Sequence, residues 1–144
     1  PKDSAPAAAA ANVPAADSGS IDPNSMDIIV AHDEPICRMT VITMLGMVGA
    51  DDDEVAEPGS IEELQDALKQ ISGSKRPLLI FLGQPSWLRY LQSAELRARK
   101  PFIVSTAMDP NDEVHKCCNL VMPPHMTHQH IQEVFQKCGA FFAQ

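Results

Sequence analysis

The sequence predicts an α/β fold in which five parallel strands form a single sheet with helices on both of its faces. After residue 26, short apolar runs such as DIIVA (27–31) and LLIFL (78–82) alternate with segments of helical periodicity. Continuous apolar runs of this length are typical of strands that are buried on both faces, as the strands of a parallel sheet are. The 144 residues and their 44% apolar content fit one domain with a substantial core.

Local signals place the elements along the chain. Strands are predicted at 27–31, 54–57, 78–82, 102–106 and 119–122, and helices at 36–48, 61–71, 87–99, 111–117 and from Thr127 onward. Pro35 suits the first turn of the first helix, and Gly49 suits the position after its end. Ser60 and Glu63 are spaced as a capping box at the start of the second helix. The alternation of strands and helices favours the flavodoxin-like strand order 2-1-3-4-5.

The first 25 residues differ in composition from the rest of the chain. They contain eight Ala, four Pro and no aromatic residue. Such a segment has little that could fill a core, so residues 1–25 are predicted to be a flexible linker and residues 26–144 to be the folded domain. A linker in this place indicates that the domain belongs to a longer protein.

The charge balance and the cysteines exclude several classes of protein. Eleven basic side chains against 19 acidic ones give a formal charge of −8, which argues against nucleic-acid binding. No apolar run approaches the roughly 20 residues that cross a bilayer, and the first 25 residues lack the pattern of a secretory signal. The four cysteines form no C-x-x-C pair and fit reduced thiols. We therefore expect a cytoplasmic domain without membrane contact, and leave a membrane anchor open for the parent protein.

The candidate site lies where the carboxyl ends of the strands meet, beside the switch point between strands one and three. Six residues follow these strand ends: His32, Asp33, Glu34, Gly83, Thr106 and Pro123. Four segments around them, IIVAHDEPICRMTVITMLGMVGA, EVAEPGSIEELQDAL, PFIVSTA and LVMPPH, resemble in order and spacing the CheY-like receiver domain of two-component response regulators. The resemblance covers nearly everything after residue 26.

The resemblance also implies that the usual chemistry of the family is lost. Receivers accept a phosphoryl group on an aspartate after strand three, with two acidic neighbours for Mg²⁺, a hydroxyl and a lysine. In this chain the acceptor position falls on Gly83, the lysine position on Pro123, and the acidic pair on His32 and Asp33, with Glu34 beside them. Thr106 retains the hydroxyl. Only 23 residues separate Gly83 from Thr106 and 17 separate Thr106 from Pro123, which predicts shortened third and fourth helices.

Other chemistry is weakly supported by the sequence. Asp109 and Asp112 lie well past strand four, where they are poorly placed to replace the acceptor. His32 alone is more often a structural residue than a phosphohistidine or a metal ligand. A zinc site is a further alternative, but its candidate ligands lack the usual spacing: His115, Cys117, Cys118, His125, His128 and His130. We predict no catalytic residue, no metal and no cofactor.

Two surfaces are candidates for binding. The first helix is apolar around almost its whole circumference, and Ile36, Met39, Met44 and Met47 are predicted to form an interaction surface for a second copy or another domain. The alternative is that the N-terminal tail, or the last helix with Phe141 and Phe142, covers this surface. Four residues of the basic third helix, Arg89, Tyr90, Arg97 and Arg99, are candidates for binding a cyclic dinucleotide, as some degenerate receivers do.

Together these observations predict a pseudo-receiver that is not an enzyme. It would act as a protein interaction and regulatory module in a phosphorelay signalling protein, most simply a hybrid histidine kinase. The expected partners are the kinase core or a true receiver, with a homodimer through helix one as a further option. The alternatives are a cyclic-dinucleotide sensor and the degenerate N-terminal receiver of a transcriptional activator.

Overall fold

The computed structural model describes residues 22–51, 55–106, 112–123 and 127–142. Within these ranges the strands are β1 (Asp27–Ala31), β2 (Val55–Ala56), β3 (Leu78–Leu82), β4 (Phe102–Ser105) and β5 (Leu120–Val121). The α-helices are α1 (Pro35–Met47), α2 (Ile61–Gln70), α3 (Ala94–Ala98), α4 (Asp112–Cys117) and α5 (His128–Phe142). Short 3₁₀ helices span Pro23–Ser25 and Pro85–Leu91.

The five strands form one parallel sheet in the order β2-β1-β3-β4-β5, which confirms the predicted order 2-1-3-4-5. Ala31 at the end of β1 pairs with Leu82 at the end of β3, and Leu82 pairs with Ser105 at the end of β4. Because these ends are in register, the chain leaves the three central strands at the same edge of the sheet. The candidate site residues therefore start from neighbouring positions.

Each face of the sheet carries its own core, since alternate strand residues point to opposite faces. On one face, Ile28 and Val30 pack with α1 and α5, whose buried residues are Val41, Leu45, Ile131, Val134, Phe135 and Cys138. On the other face, Ile29 and Ala31 pack with α2, α3 and the second 3₁₀ helix, whose buried residues are Leu64, Ala67, Trp87, Leu88, Leu91 and Leu96. This confirms helices on both faces of the sheet.

The predicted boundaries of the first two helices are confirmed to within one residue. Gly49 follows the end of α1 with a φ of 99°, a conformation that glycine adopts without strain. Ser60 Oγ accepts a hydrogen bond from the amide of Glu63 at 3.2 Å. The Glu63 carboxylate accepts in return from the amide of Gly59 at 2.7 Å, one residue earlier than in the usual capping box.

The single helix predicted at 87–99 is wrong. The chain forms the 3₁₀ helix Pro85–Leu91 and then a separate α3 of five residues. The break comes at Ser93, whose hydroxyl accepts from the amide of Leu96 at 3.2 Å and so starts a new helix. With six residues in α4 as well, the predicted shortening of the third and fourth helices is confirmed.

Most of the predicted linker, residues 1–21, lies outside the described residues. Its last residues are bound to the domain: the Asn24 side chain donates to the carbonyl of Gly49 at 3.0 Å and accepts from the amide of Asp51 at 2.9 Å. Met26 is fully buried. None of the helices that the structure describes has the length and apolar character needed to cross a membrane.

Candidate functional site

Backbone hydrogen bonds continue past the strand ends and align the candidate residues. The amide of Gly83 donates to the carbonyl of Ala31 at 2.8 Å, and the amide of Thr106 donates to the carbonyl of Leu82 at 2.9 Å. His32, Gly83 and Thr106 therefore follow three adjacent strands at one edge of the sheet. Pro123 follows β5 and is exposed.

The imidazole of His32 occupies the space beside Gly83. A Cβ atom on residue 83 would lie 1.8 Å from His32 Cδ2 and 2.5 Å from its Cγ. Real Cβ atoms do not approach other atoms so closely, so no side chain fits at residue 83 while His32 keeps this position. The His32 side chain is only 12% exposed, which shows that it fills this pocket rather than pointing into solvent.

Local contacts hold the His32 ring in place. The amide of Glu34 donates to His32 Nδ1 at 2.9 Å, so the neutral ring carries its proton on Nε2. Asp33 Oδ1 also lies 3.1 Å from this nitrogen, but it adds no hydrogen bond to the neutral ring, because Nδ1 then carries no proton to donate. The carbonyl of His32 accepts a hydrogen bond of 2.7 Å from the guanidinium of Arg38 on α1. The turn after β1 thus fixes the ring over Gly83.

The remaining carboxylates at this edge do not form a metal site. Asp33 is half exposed, and its Oδ2 accepts a 3.3 Å hydrogen bond from the Gln84 side chain. Glu34 is exposed. No group of three or more His, Cys, Asp or Glu side chains in the described part of the chain is arranged to hold a metal ion. Asp109 of the sequence analysis lies outside the described residues, and Asp112 is exposed at the start of α4.

Arg38, which no sequence motif indicated, supplies a cation near this edge. A Cβ on Gly59 would lie 2.5 Å from a guanidinium nitrogen of Arg38, so the guanidinium packs against the backbone of the loop between β2 and α2. Its Nε atom is buried without a hydrogen-bond partner. The glycine at 59 was the available signal, because a close approach of this kind needs a residue without a side chain.

Three of the four residues predicted for the surface on α1 lie in the open. Ile36 is 78% exposed, and Met39 and Met47 are each 63% exposed. Met44 is half-buried and packs against the core. Thr40 and Thr43 complete a groove of about 430 Å³, and the hydroxyl of Thr40 donates back to the Ile36 carbonyl at 2.9 Å. We call this surface, lined by Ile36, Met39, Thr40, Thr43, Met44 and Met47, the α1 groove.

The last helix covers a different part of α1. Phe141 and Phe142 pack against the same core cluster as Ile42 and Val48. Phe141 also contacts Phe102 edge to face, with ring centroids 5.3 Å apart. α5 therefore covers one side of α1, and the described residues leave the α1 groove open. The alternative cover, the N-terminal tail, lies outside the described residues as far as residue 21.

The four basic-segment candidates have separate roles in the structure. The guanidinium of Arg89 lies 4.9 Å from the centre of the Tyr90 ring and donates to its hydroxyl at 2.9 Å. Arg97 is exposed on α3. Arg99 donates to the carbonyl of Ile71 at 2.9 Å and to Asp27 Oδ2 at 3.2 Å, so its guanidinium ties α3 to the start of the sheet.

Burial keeps two thiols protonated. One is Cys118, which belongs to the zinc alternative, and the other is Cys138, which lies in the core. Burial, with a smaller contribution from Cys117, raises the pKa of Cys118 to about 11. Burial alone raises the pKa of Cys138 to about 12. In the metal-free protein both thiols are therefore protonated at neutral pH. His125 and the side chains of His115 and His128 lie outside what the structure describes, so that alternative stays a prediction.

Comparisons with known proteins place the fold. No protein-family model matches the chain, and no curated protein matches its sequence. Among solved structures, a CheY-like receiver domain protein from Methanospirillum hungatei matches with a TM-score of 0.61 at 16% identity, over 83% of this chain and 98% of that one. The pseudo-receiver domain of the CikA protein matches with a TM-score of 0.60 at 16% identity, over 78% and 96% of the two chains.

A third structure agrees with these two. A two-component response regulator from Cytophaga hutchinsonii has a TM-score of 0.59 and 16% identity, over 77% of this chain and 94% of that one. These neighbours share the overall fold with this chain but little sequence. The chain therefore has the CheY-like fold of response regulator receiver and pseudo-receiver domains.

Proposed function

We propose that this domain is a pseudo-receiver that does not accept a phosphoryl group and acts through contacts with other proteins. The observation that carries the proposal is the packing of His32 over Gly83, where a Cβ on residue 83 would lie 1.8 Å from the ring. A receiver needs a carboxylate on that residue as its nucleophile. In this chain the residue has no side chain, and the space for one is filled.

The surroundings support the same conclusion. Transfer to a carboxylate also requires Mg²⁺ and a cation that neutralises the acyl phosphate. Asp33 and Glu34 are open to solvent, and exposed Pro123 stands in the position of the lysine. Of the groups that the family uses, the chain keeps the Asp33 carboxylate and the Thr106 hydroxyl. The domain is accordingly proposed to have no enzymatic activity of its own.

The α1 groove supports a role in binding proteins. Exposed apolar patches rimmed by polar residues mark interaction sites, and methionine adapts to different partners. We propose that residues 26–144 act as a regulatory module in a cytoplasmic phosphorelay protein such as a hybrid histidine kinase. The kinase core or a true receiver would dock there, or a second copy of the chain.

Phosphorylation is tested with a small phosphodonor. The chain is incubated with acetyl phosphate and Mg²⁺, and its intact mass is compared with that of a working receiver treated in the same way. We expect the control receiver to gain a phosphoryl group and this chain to remain unmodified. An adduct on any aspartate at the carboxyl edge of the sheet would overturn the proposal.

Self-association through the α1 groove is tested by sedimentation equilibrium. Met39→Lys places a charge in the groove, and Gln136→Lys places the same charge on the exposed side of α5 as a matched control. A dimer in the wild type and in Gln136→Lys, but not in Met39→Lys, would identify the groove as the interface. Monomers in all three samples would reject the homodimer.

A second candidate function is sensing of a cyclic dinucleotide. The observation that favours it is the guanidinium of Arg89 stacked on the Tyr90 ring, an arrangement that suits a guanine base and its phosphate. Calorimetric titration with cyclic di-GMP tests it in the wild type and in Arg89→Met. A flat titration of the wild type would end this candidate.

A further inference from the structure

A cavity of about 450 Å³ lies between α2 and the five-residue α3. Its volume lies within the range of about 300–1000 Å³ that is usual for small-molecule sites. The cavity is on the opposite face of the sheet from the α1 groove, because α2 and α3 belong to one core cluster and α1 to the other. It is therefore separate from the surface proposed for protein binding.

The cavity has an apolar floor. Leu96 is buried, and Leu68 and Ile71 are half-buried and pack against the same core. These three side chains come from the middle of α3, the second half of α2 and the residue after α2. Burial of an apolar group against them would be favourable at about 25 cal/mol per Å² of area removed from water.

One wall of the cavity is held rigid. Arg99 lines the cavity, and its guanidinium donates to the carbonyls of Ile71 and Arg76 and to the carboxylate of Asp27. These bonds fix the end of α3 against the residue that follows α2. A preformed wall of this kind lowers the ordering cost of binding a ligand.

The electrostatics of the cavity favour an anion. Lys69 lines the cavity and has no ion-pair partner among the described side chains. Arg99 and Arg76 share the single carboxylate of Asp27, at 3.2 and 3.8 Å. The lining itself holds two cationic side chains, Lys69 and Arg99, and one carboxylate, Asp66. Because Arg99 is engaged by Asp27, Lys69 is the cation of the lining that remains for an anionic ligand, in a chain whose formal charge is −8.

We propose that this cavity, which we call the α2–α3 cavity, binds an amphiphilic monoanion, with its apolar body on Leu68, Ile71 and Leu96 and its acid group at Lys69. The proposal does not depend on whether residue 83 accepts a phosphoryl group. A small molecule bound there would be a ligand of the domain in addition to the proteins that it is proposed to contact.

The test compares two probes of similar shape that differ in charge, naphthalene-1-acetate and naphthalene-1-acetamide. Binding to the full chain is followed by backbone amide chemical shifts. We expect saturable shifts at Lys69, Ser72 and Leu96, and about three- to fivefold tighter binding of the carboxylate, the range that one partly exposed ion pair provides. Lys69→Glu should abolish the preference for the carboxylate. Lys137→Glu, the same charge change on exposed α5, should preserve it.

A second pair of variants tests the location. Gln65→Trp fills the cavity mouth from an exposed position of α2 and should weaken both probes at least about tenfold. Gln132→Trp, an exposed position of α5, should leave both affinities unchanged. Thermal melting of each variant checks that it is folded. Equal affinity for the two probes, shifts centred on α1, or no saturable shift up to about 1 mM would each overturn the proposal.

Discussion

The aspartates near the two ends of β1 lie in opposite environments, one buried in an ion pair and one largely open to solvent. At the amino end, the Asp27 side chain is 13% exposed and is held by Arg99 at 3.2 Å and Arg76 at 3.8 Å. At the carboxyl end, the Asp33 side chain is 49% exposed and faces a histidine ring and an amide. Charge is therefore retained where it ties elements of the fold together. At the carboxyl end, the His32 ring packs beside Gly83 instead.

The difference has a structural consequence. Arg76 donates to the carbonyls of Asn24 and Met26 and so fastens the entry to β1, while Arg99 fastens the turn after α2. The carboxyl edge relies instead on the fit between a glycine and an imidazole. We expect the amino edge to contribute more to stability and the carboxyl edge to be sensitive mainly to volume.

The largest effect is expected for Arg99→Met. Among the described side chains, this change leaves the Asp27 carboxylate with only the more distant Arg76, and it removes one of the two donors to the Ile71 carbonyl, which should cost about 3 kcal/mol of unfolding free energy. Urea denaturation measures the loss. Arg97→Met on the same helix is exposed and should change stability by less than about 0.5 kcal/mol. Equal losses of unfolding free energy for Arg99→Met and Arg97→Met would show that the contacts of Arg99 at the amino end of β1 do not contribute more to stability than an exposed side chain does.

A smaller effect is expected for Gly83→Ala. The new Cβ would overlap the His32 ring and should cost about 2 kcal/mol, the range for overpacking a filled site. His32→Ala in the same chain should recover most of that loss, giving a coupling of about 1 kcal/mol or more in a double-mutant cycle. Additive effects of the two substitutions would show that the ring does not lie over residue 83.

The smallest effect is expected for Asp33→Asn. An exposed carboxylate with weak partners should change stability by less than about 0.5 kcal/mol, whereas Asp27→Asn should cost about 2 kcal/mol. The same substitution at the two ends of one strand compares the edges directly when both variants are unfolded in urea. A larger loss at Asp33 than at Asp27 would reverse the comparison.

Much of the fold could be predicted because its signals are local. The apolar run at 78–82 coincides with β3, and Ser60 and Gly49 bound helices whose periodicity is strong. The helix predicted at 87–99 failed because Trp87, Leu88 and Leu91 fit helical periodicity, although the segment is a 3₁₀ helix. The serine at 93 was a capping signal inside that pattern, but periodicity alone gave it no weight.

The site was predictable in its position but not in its contacts. The strand order and the register bring His32 next to Gly83, and the sequence analysis named both residues. The contact between them was not predicted, although a bulky ring next to a glycine on the neighbouring strand indicates that the ring fills the space left by the missing side chain. The directions of Arg38 and Arg99 were not predictable, because long flexible side chains are oriented by tertiary acceptors that sequence spacing does not reveal.

The central claim is that residue 83 is not a phosphoryl acceptor because the His32 ring occupies its place. The most direct test is a titration of the wild-type chain with Mg²⁺ and beryllofluoride, which mimics the bound phosphoryl group, followed by amide shifts at Asp33, Gly83 and Thr106. We expect these three amides to remain unshifted at concentrations that saturate a working receiver. Saturable shifts at all three would contradict the account.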